Sequence, residues 1–259
     1  SYQIEGSMHG GCGLSHWDTF AKKENATFEG QDGGRACEHI FKWKQDLDLV
    51  RDAGFSAYRF SFSWPRIQPD GIGKVNTKGI SFYDELIDGM LERNLLPFAT
   101  LYHWDLPERL ADKGGWQIKD TAERFGEYSE IITKYFGDRL YSTATINEPW
   151  CISWLSHYWG EHAPGLKSLG ATAKSMHNIL LAHGKSIEVM RSLGQKNLGI
   201  VLNKTHVQPV SQSDENISAA NLYDDIHNLW FDEAIFNGMY PQKLLSIFEP
   251  HMPENYQND

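Results

Sequence analysis

Leu95-Leu96-Pro97-Phe98-Ala99-Thr100-Leu101-Tyr102 is a near-continuous apolar run that stops at His103-Trp104-Asp105. Apolar residues at both parities over a strand-length segment read as a strand buried on both faces, the situation of a parallel sheet covered by helices. The polar residues at its end suggest that the chemistry sits where the strands stop.

Working outward, the same rhythm repeats. Phe41–Ala53 carries Leu47, Val50 and Ala53 at helical spacing and ends at Gly54, a favourable residue just past a helix C-terminus. Phe55–Trp64 reads as a strand, with Tyr58, Phe60, Phe62 and Trp64 alternating against Arg59, Ser61 and Ser63. Helices are expected around Ile80–Arg93, over Thr121–Phe136 up to Gly137, and over Ala171–Leu193 up to Gly194. Strands are expected at Leu140–Ile146 and Asn197–Asn203. With a stub at Tyr2–Glu5 this gives five strands. Alternating β and α at this spacing predicts a parallel α/β sheet with crossover helices. No linker, repeat or shift in composition divides the chain, so residues 1–259 are expected to form one domain or part of one.

Two α/β architectures compete. A doubly wound sheet calls for a glycine-rich phosphate loop after the first strand. Gly10-Gly11-Cys12-Gly13-Leu14-Ser15 fails G-x-G-x-x-G, and Gly184-Lys185-Ser186 lacks the leading glycine of a P-loop because Ile179 stands there. A (β/α)8 (TIM) barrel predicts instead that polar residues gather after several different strands. Gln3 and Glu5 follow the first expected strand, Arg59 lies in the second and Trp64 at its end. His103, Trp104 and Asp105 follow the third, and Asn147, Glu148 and Trp150 the fourth. The barrel is therefore the expected fold, incomplete here, with about five of its eight β/α units. Ser1 stands where no initiator Met precedes it, and Glu254–Asp259 trails off in polar residues. Both ends are expected to be cut, with any targeting segment unobserved.

Composition narrows the function. Lys plus Arg total 24 against 34 Asp plus Glu, a formal charge of -10, which is the wrong sign for neutralising phosphates and argues against nucleic acid or an anionic membrane as partner. No run of about 18 apolar residues suggests a spanning helix. Cys12, Cys37 and Cys151 are odd in number and far apart, which fits neither a disulfide framework nor a metal knuckle and favours a reducing compartment such as the cytoplasm. The histidines occur without an HxH or HExxH pattern, so no metal and no cofactor is expected. Cys151 near His157 reads as a packing residue rather than a thiol nucleophile. Asn25-Ala26-Thr27 and Asn216-Ile217-Ser218 fit a glycosylation pattern that matters only in a secreted protein.

What the strand ends offer is suited to a polyhydroxylated ring. Gln, Asn, Glu and His both meet hydroxyls at its edge, and Trp104 can lie against its C–H face. A lone polar residue of this kind is usually structural. Their coincidence over four successive strand ends is what points to a site.

Tyr58-Arg59-Phe60-Ser61-Phe62-Ser63-Trp64, Leu101-Tyr102-His103-Trp104-Asp105-Leu106-Pro107 and Thr145-Ile146-Asn147-Glu148-Pro149-Trp150 together resemble glycoside hydrolase family 1, the β-glucosidase type. Tyr2-Gln3-Ile4-Glu5-Gly6, Trp17-Asp18-Thr19-Phe20 and His162-Ala163-Pro164-Gly165 extend the likeness along the chain. The resemblance implies a TIM barrel and a retaining hydrolase of unphosphorylated β-glucosides or related disaccharides. It implies Glu148 as acid/base and Asn147 on the sugar 2-hydroxyl. Gln3 and His103 would take other hydroxyls, and Arg59 would lie beside the nucleophile. The loops Ser7–Leu14 and Gly33–His39 depart from the family pattern, and its Thr-Glu-Asn-Gly tetrapeptide, which carries the second glutamate, does not occur in the sequence. The expectation is an isolated chain that lacks its nucleophile and is inactive alone. The rival is a barrel that only binds sugar or pairs with a complementary C-terminal chain.

Overall fold

The computed structural model describes residues 2–259. Its centre is a parallel sheet of four strands in the order β1 (Ala57–Ser61), β2 (Leu96–Tyr102), β3 (Ser142–Asn147) and β4 (Leu198–Val201). Sequence neighbours are neighbours in space, so every connection is a crossover helix, and the sheet with its helices is an incomplete (β/α)8 barrel. Ala57 pairs with Leu96 and Ser61 with Thr100; Phe98 pairs with Ser142 and Tyr102 with Ile146. Between β3 and β4 the register slips. Ala144 pairs with Gly199 but Asn147 with Val201, so three steps on β3 match two on β4. Such a bulge bends the strand and re-aims the residues beyond it, and here those are Asn147 and Glu148.

The α-helices before β4 are α1 (His16–Phe20), α2 (His39–Asp52), α3 (Trp64–Ile67), α4 (Thr77–Glu92), α5 (Glu108–Ala111), α6 (Lys119–Phe136) and α7 (Leu169–Ser192). The four long ones lie within three residues of the sequence expectation at each end, the start of α4, at Thr77 rather than Ile80, being the largest difference. Gly54 and Gly194 take the left-handed conformation past α2 and α7, at φ 83° and 84°. Gly137 does not; it keeps helical angles, and a Cβ there would meet the Thr133 carbonyl at 2.6 Å. That glycine answers to close approach rather than to a left-handed turn.

Two expectations are corrected. The strand over 55–64 stops at Ser61, because Pro65 lacks an N–H and presets a helical φ, so Trp64–Ile67 winds into α3. Tyr2–Glu5 is a turn, not a strand, leaving four strands rather than five among the described residues. The carbonyls of Ile4 and Glu5 accept from the N–H groups of His39 and Ile40 at the start of α2, and Ser7 and Met8 bond to Gly33 and Gly34. These groups are committed to the 33–40 loop and are not in a ladder with β1.

The main core fills the space between sheet and helices. Phe62, Trp64, Tyr83, Tyr128 and Phe136 are fully buried, and Trp64 stacks on Tyr128 at 5.0 Å. A second cluster joins Trp150 and Trp154 to Trp230, Phe231, Leu244 and Phe248, which lie in the helical segments after β4. This packing, driven by removal of aromatic surface from water, anchors the polypeptide just downstream of β3.

Candidate functional site

Parallel strands deliver their C-terminal ends to one edge, and each end here carries polar side chains. At β1, Arg59 donates from Nε to Thr100 Oγ1 at 3.0 Å and from its terminal nitrogen to Asn147 Oδ1 at 2.6 Å, joining three strands. Asn147 is only 3% exposed. Its side-chain carbonyl is thus fixed, which also fixes the direction of its amide. Among the described residues no carboxylate pairs with Arg59, although that residue is exposed at the strand ends.

Trp104, two residues past the end of β2, and Glu148, directly after β3, both have positive φ, 82° and 52°. Non-glycine residues held in this region cost about 1–3 kcal/mol each and persist where surroundings over-determine them. The surroundings are visible. The Trp104 indole N–H donates to the Asn147 carbonyl at 2.8 Å, and His16 Nε2 lies 2.7 Å from the Trp104 carbonyl. The Glu148 N–H donates to the Val201 carbonyl at 2.8 Å, and its own carbonyl accepts from Ile152. After Glu148 the chain enters Cys151–Trp159, wound as a π-helix, a wide form that recurs beside functional sites.

His103 is half-buried, and burial, reinforced by the Arg59 guanidinium, pulls its pKa down to about 3. It is a neutral imidazole at working pH, able to donate from one nitrogen and accept at the other, as a hydroxyl requires. Its ring lies 5.1 Å from that of Trp104, which lies 5.1 Å from His162, itself 5.4 Å from Trp17. Tyr2 stacks on Trp17 at 6.1 Å, so this aromatic chain ties the turn bearing Gln3 to the end of β2. Gln3 is exposed in that turn.

Glu5 is built differently. It is buried, accepts from Arg66 Nε at 2.7 Å and from the Tyr83 hydroxyl at 2.6 Å, and supports the turn from below. The Cys151 thiol bonds to Glu148, and burial followed by that carboxylate pushes it up to about 12, so it is a neutral donor rather than a nucleophile. Asp105, named in the sequence with His103 and Trp104 after the third expected strand, is fully buried, and its carboxyl is pushed up to about 6, first by burial and further by Glu5. Two features escaped the sequence reading, His16 and the Cys151 contact with Glu148; nothing in the local sequence marks His16. Among the described residues no three His, Cys, Asp or Glu side chains gather to hold a metal. A hollow of about 810 Å³ lies between α7 and residues 234–259, lined by Leu180, Tyr240 and Leu245 and by none of the strand-end residues.

A partial β/α barrel with a glutamate, an asparagine, an arginine and stacked aromatics at its strand ends has the form of a glycoside hydrolase core. The family model for glycosyl hydrolase family 1 matches residues 1–258, and the chain belongs to that family. It is 43% identical to a 1,4-beta-D-glucan glucohydrolase of Thermotoga neapolitana, across all of this chain and 62% of that protein. It is also 43% identical to a beta-glucosidase of Agrobacterium sp., over 98% of this chain and 56% of the relative. Among solved structures, a family 1 β-glucosidase from Thermotoga maritima superimposes with a TM-score of 0.96 at 41% identity, covering 100% of this chain and 59% of that one. The chain thus spans about six tenths of the length of the relatives it matches.

Proposed function

We propose that this chain carries the acid/base half of a retaining β-glycosidase acting on unphosphorylated β-glucosides, with Glu148 as the acid/base. The observation that carries the reading is Glu148 itself. A bulky residue is held in a left-handed turn at the end of β3, next to an Asn147 that Arg59 and Trp104 clamp from either side.

Each residue then has a task. The Glu148 carboxyl gives its proton to the glycosidic oxygen as the bond to the anomeric carbon breaks, and afterwards takes one from the water that hydrolyses the covalent intermediate. The fixed Asn147 amide and the neutral His103 hold ring hydroxyls, Gln3 closes on another from the turn above, and Trp104 offers an apolar face. Arg59 stands ready beside the attacking carboxylate, which it would keep ionised. No Thr-Glu-Asn-Gly carries that carboxylate in these 259 residues, so the chain alone is inactive and a complementary segment must supply it. Relatives solved with isofagomine lactam and with the substrate analogue salicin support a glucoside as ligand.

The test is complementation. The chain is assayed on 4-nitrophenyl β-glucoside alone and with the C-terminal remainder of the Thermotoga maritima homologue. Turnover is expected only in the mixture. There, Glu148→Gln should slow substrates with poor leaving groups by about 10²–10⁴-fold, spare activated ones in the first step, and let azide rescue the second. Robust turnover by the chain alone, or equal loss on both substrate kinds without rescue, overturns the reading. Cleavage confined to 6-phosphoglucosides overturns the substrate class.

A further inference from the structure

The strained turn at Trp104 has a support that its own strand does not supply. His16 Nε2 lies 2.7 Å from the Trp104 carbonyl oxygen. A carbonyl can only accept, so Nε2 carries the proton and Nδ1 is left as an acceptor. His16 is 6% exposed, and its Nδ1 is buried without a partner among the described residues. It borders a partly open cavity of about 120 Å³ whose walls include His157, Trp116, Gln117, Leu106 and Leu166. His157 is arranged in the same way, with Nδ1 donating to the Ile152 carbonyl at 2.8 Å. Two neutral imidazoles with acceptor nitrogens thus line one space, which is large enough to hold water. Burial pulls both rings to about 4, so they remain neutral across the ordinary pH range.

We propose that His16 is a positioning residue for the glucoside site, its Nε2–H fixing the Trp104 carbonyl while water in this cavity satisfies its Nδ1. This rests on Glu148 being the acid/base. The coupling runs through bonds already described. His16 holds the Trp104 carbonyl, the Trp104 indole holds the Asn147 carbonyl, and the next residue along is Glu148. Without His16 the Trp104 carbonyl loses its donor and the turn is free to relax to negative φ. The indole N–H then leaves Asn147, and the two strained joints at the ends of β2 and β3 come apart.

The experiment uses the 259-residue chain labelled with ¹⁵N in histidine and in tryptophan indoles, the Trp104 signal being assigned by its loss in Trp104→Phe. His16 should show the Nε2–H tautomer. In His16→Phe the Trp104 indole N–H should exchange with solvent about tenfold faster, and isofagomine lactam should bind about tenfold more weakly, with a thermal midpoint lower by only a few °C. His16→Gln, which places an amide N–H near the same carbonyl, should restore most of both. An Nδ1–H tautomer in the wild type overturns the proposal, as does a His16→Phe variant with unchanged exchange. If His16→Phe does not fold, the tautomer and the Gln variant still decide. Binding of isofagomine lactam neither by the wild-type chain nor by its mixture with the complementing segment refutes the glucoside reading, whereas tautomer and exchange judge His16 on their own.

Discussion

Replacing Arg66 by Met should be among the most damaging single changes in the molecule. Arg66 is 1% exposed and spends its guanidinium on Glu5 Oε2 at 2.7 Å and on the carbonyls of His9 and Gly6, each at 2.8 Å. Met matches the stem but leaves the Glu5 carboxylate, 5% exposed, with only the Tyr83 hydroxyl, and strands two carbonyls. Breaking a buried pair from one side costs about 3–5 kcal/mol because a charge is left uncompensated. At roughly 2–4 °C per kcal/mol for a chain of this size, the thermal midpoint should fall by about 10 °C. The same loss unfastens the turn bearing Gln3, so limited proteolysis should cut within residues 2–13 before the rest unfolds. The double variant Glu5→Gln, Arg66→Met removes the stranded charge and should recover at least 1 kcal/mol over Arg66→Met. A midpoint within 3 °C of wild type, or a double variant no better than the single, would refute the account of this pair as the clasp of the loop.

Acid should destabilise the fold in a defined window. The buried His16 and His157 have folded-state values near 4, below the unfolded value. Their contribution is complete above about pH 6.5 and is lost as pH falls toward 4, about 2 kcal/mol each at pH 5. Asp105, raised to about 6, acts in the opposite sense: its contribution is full below about pH 4 and lost as pH rises through 6, so it returns about 1 kcal/mol at pH 5. These three groups together should lower stability from denaturant titration by about 2–3 kcal/mol between pH 7 and 5, with His103 and His183 adding loss in the same sense, and the drop should be larger in Asp105→Asn, which should itself be the more stable form at pH 8. A flat profile would count against these environments. Gly79→Ala should yield little soluble protein, because a Cβ there would lie 2.3 Å from the Arg66 carbonyl and α4 cannot retreat from α3 without opening the core; normal expression with an unchanged midpoint would contradict that packing.

The sequence by itself determined the periodic elements. Leu95–Tyr102 is apolar at both parities because its strand is covered on both faces, and Leu47, Val50 or Phe82, Leu86, Met90 recur at helical spacing because one face of each helix meets the sheet. Such patterns are local, so β2 and the four long helices were legible to within about three residues. The strand-end residues Arg59, His103, Asn147 and Glu148 were legible too, since parallel strands must bring their ends to one edge. Tertiary structure alone decided how those ends are held. Tyr2–Glu5 alternates like a strand, yet its carbonyls are taken by α2; Glu5 resembles a site residue, yet Arg66, 61 positions away, takes its charge. The bulge before Asn147, the left-handed turns at Trp104 and Glu148, and the hold of His16 on a carbonyl 88 residues away depend on groups far apart in the chain. A burial pattern is written residue by residue, whereas a hydrogen bond across folded space has no trace in the order of residues on either side of it.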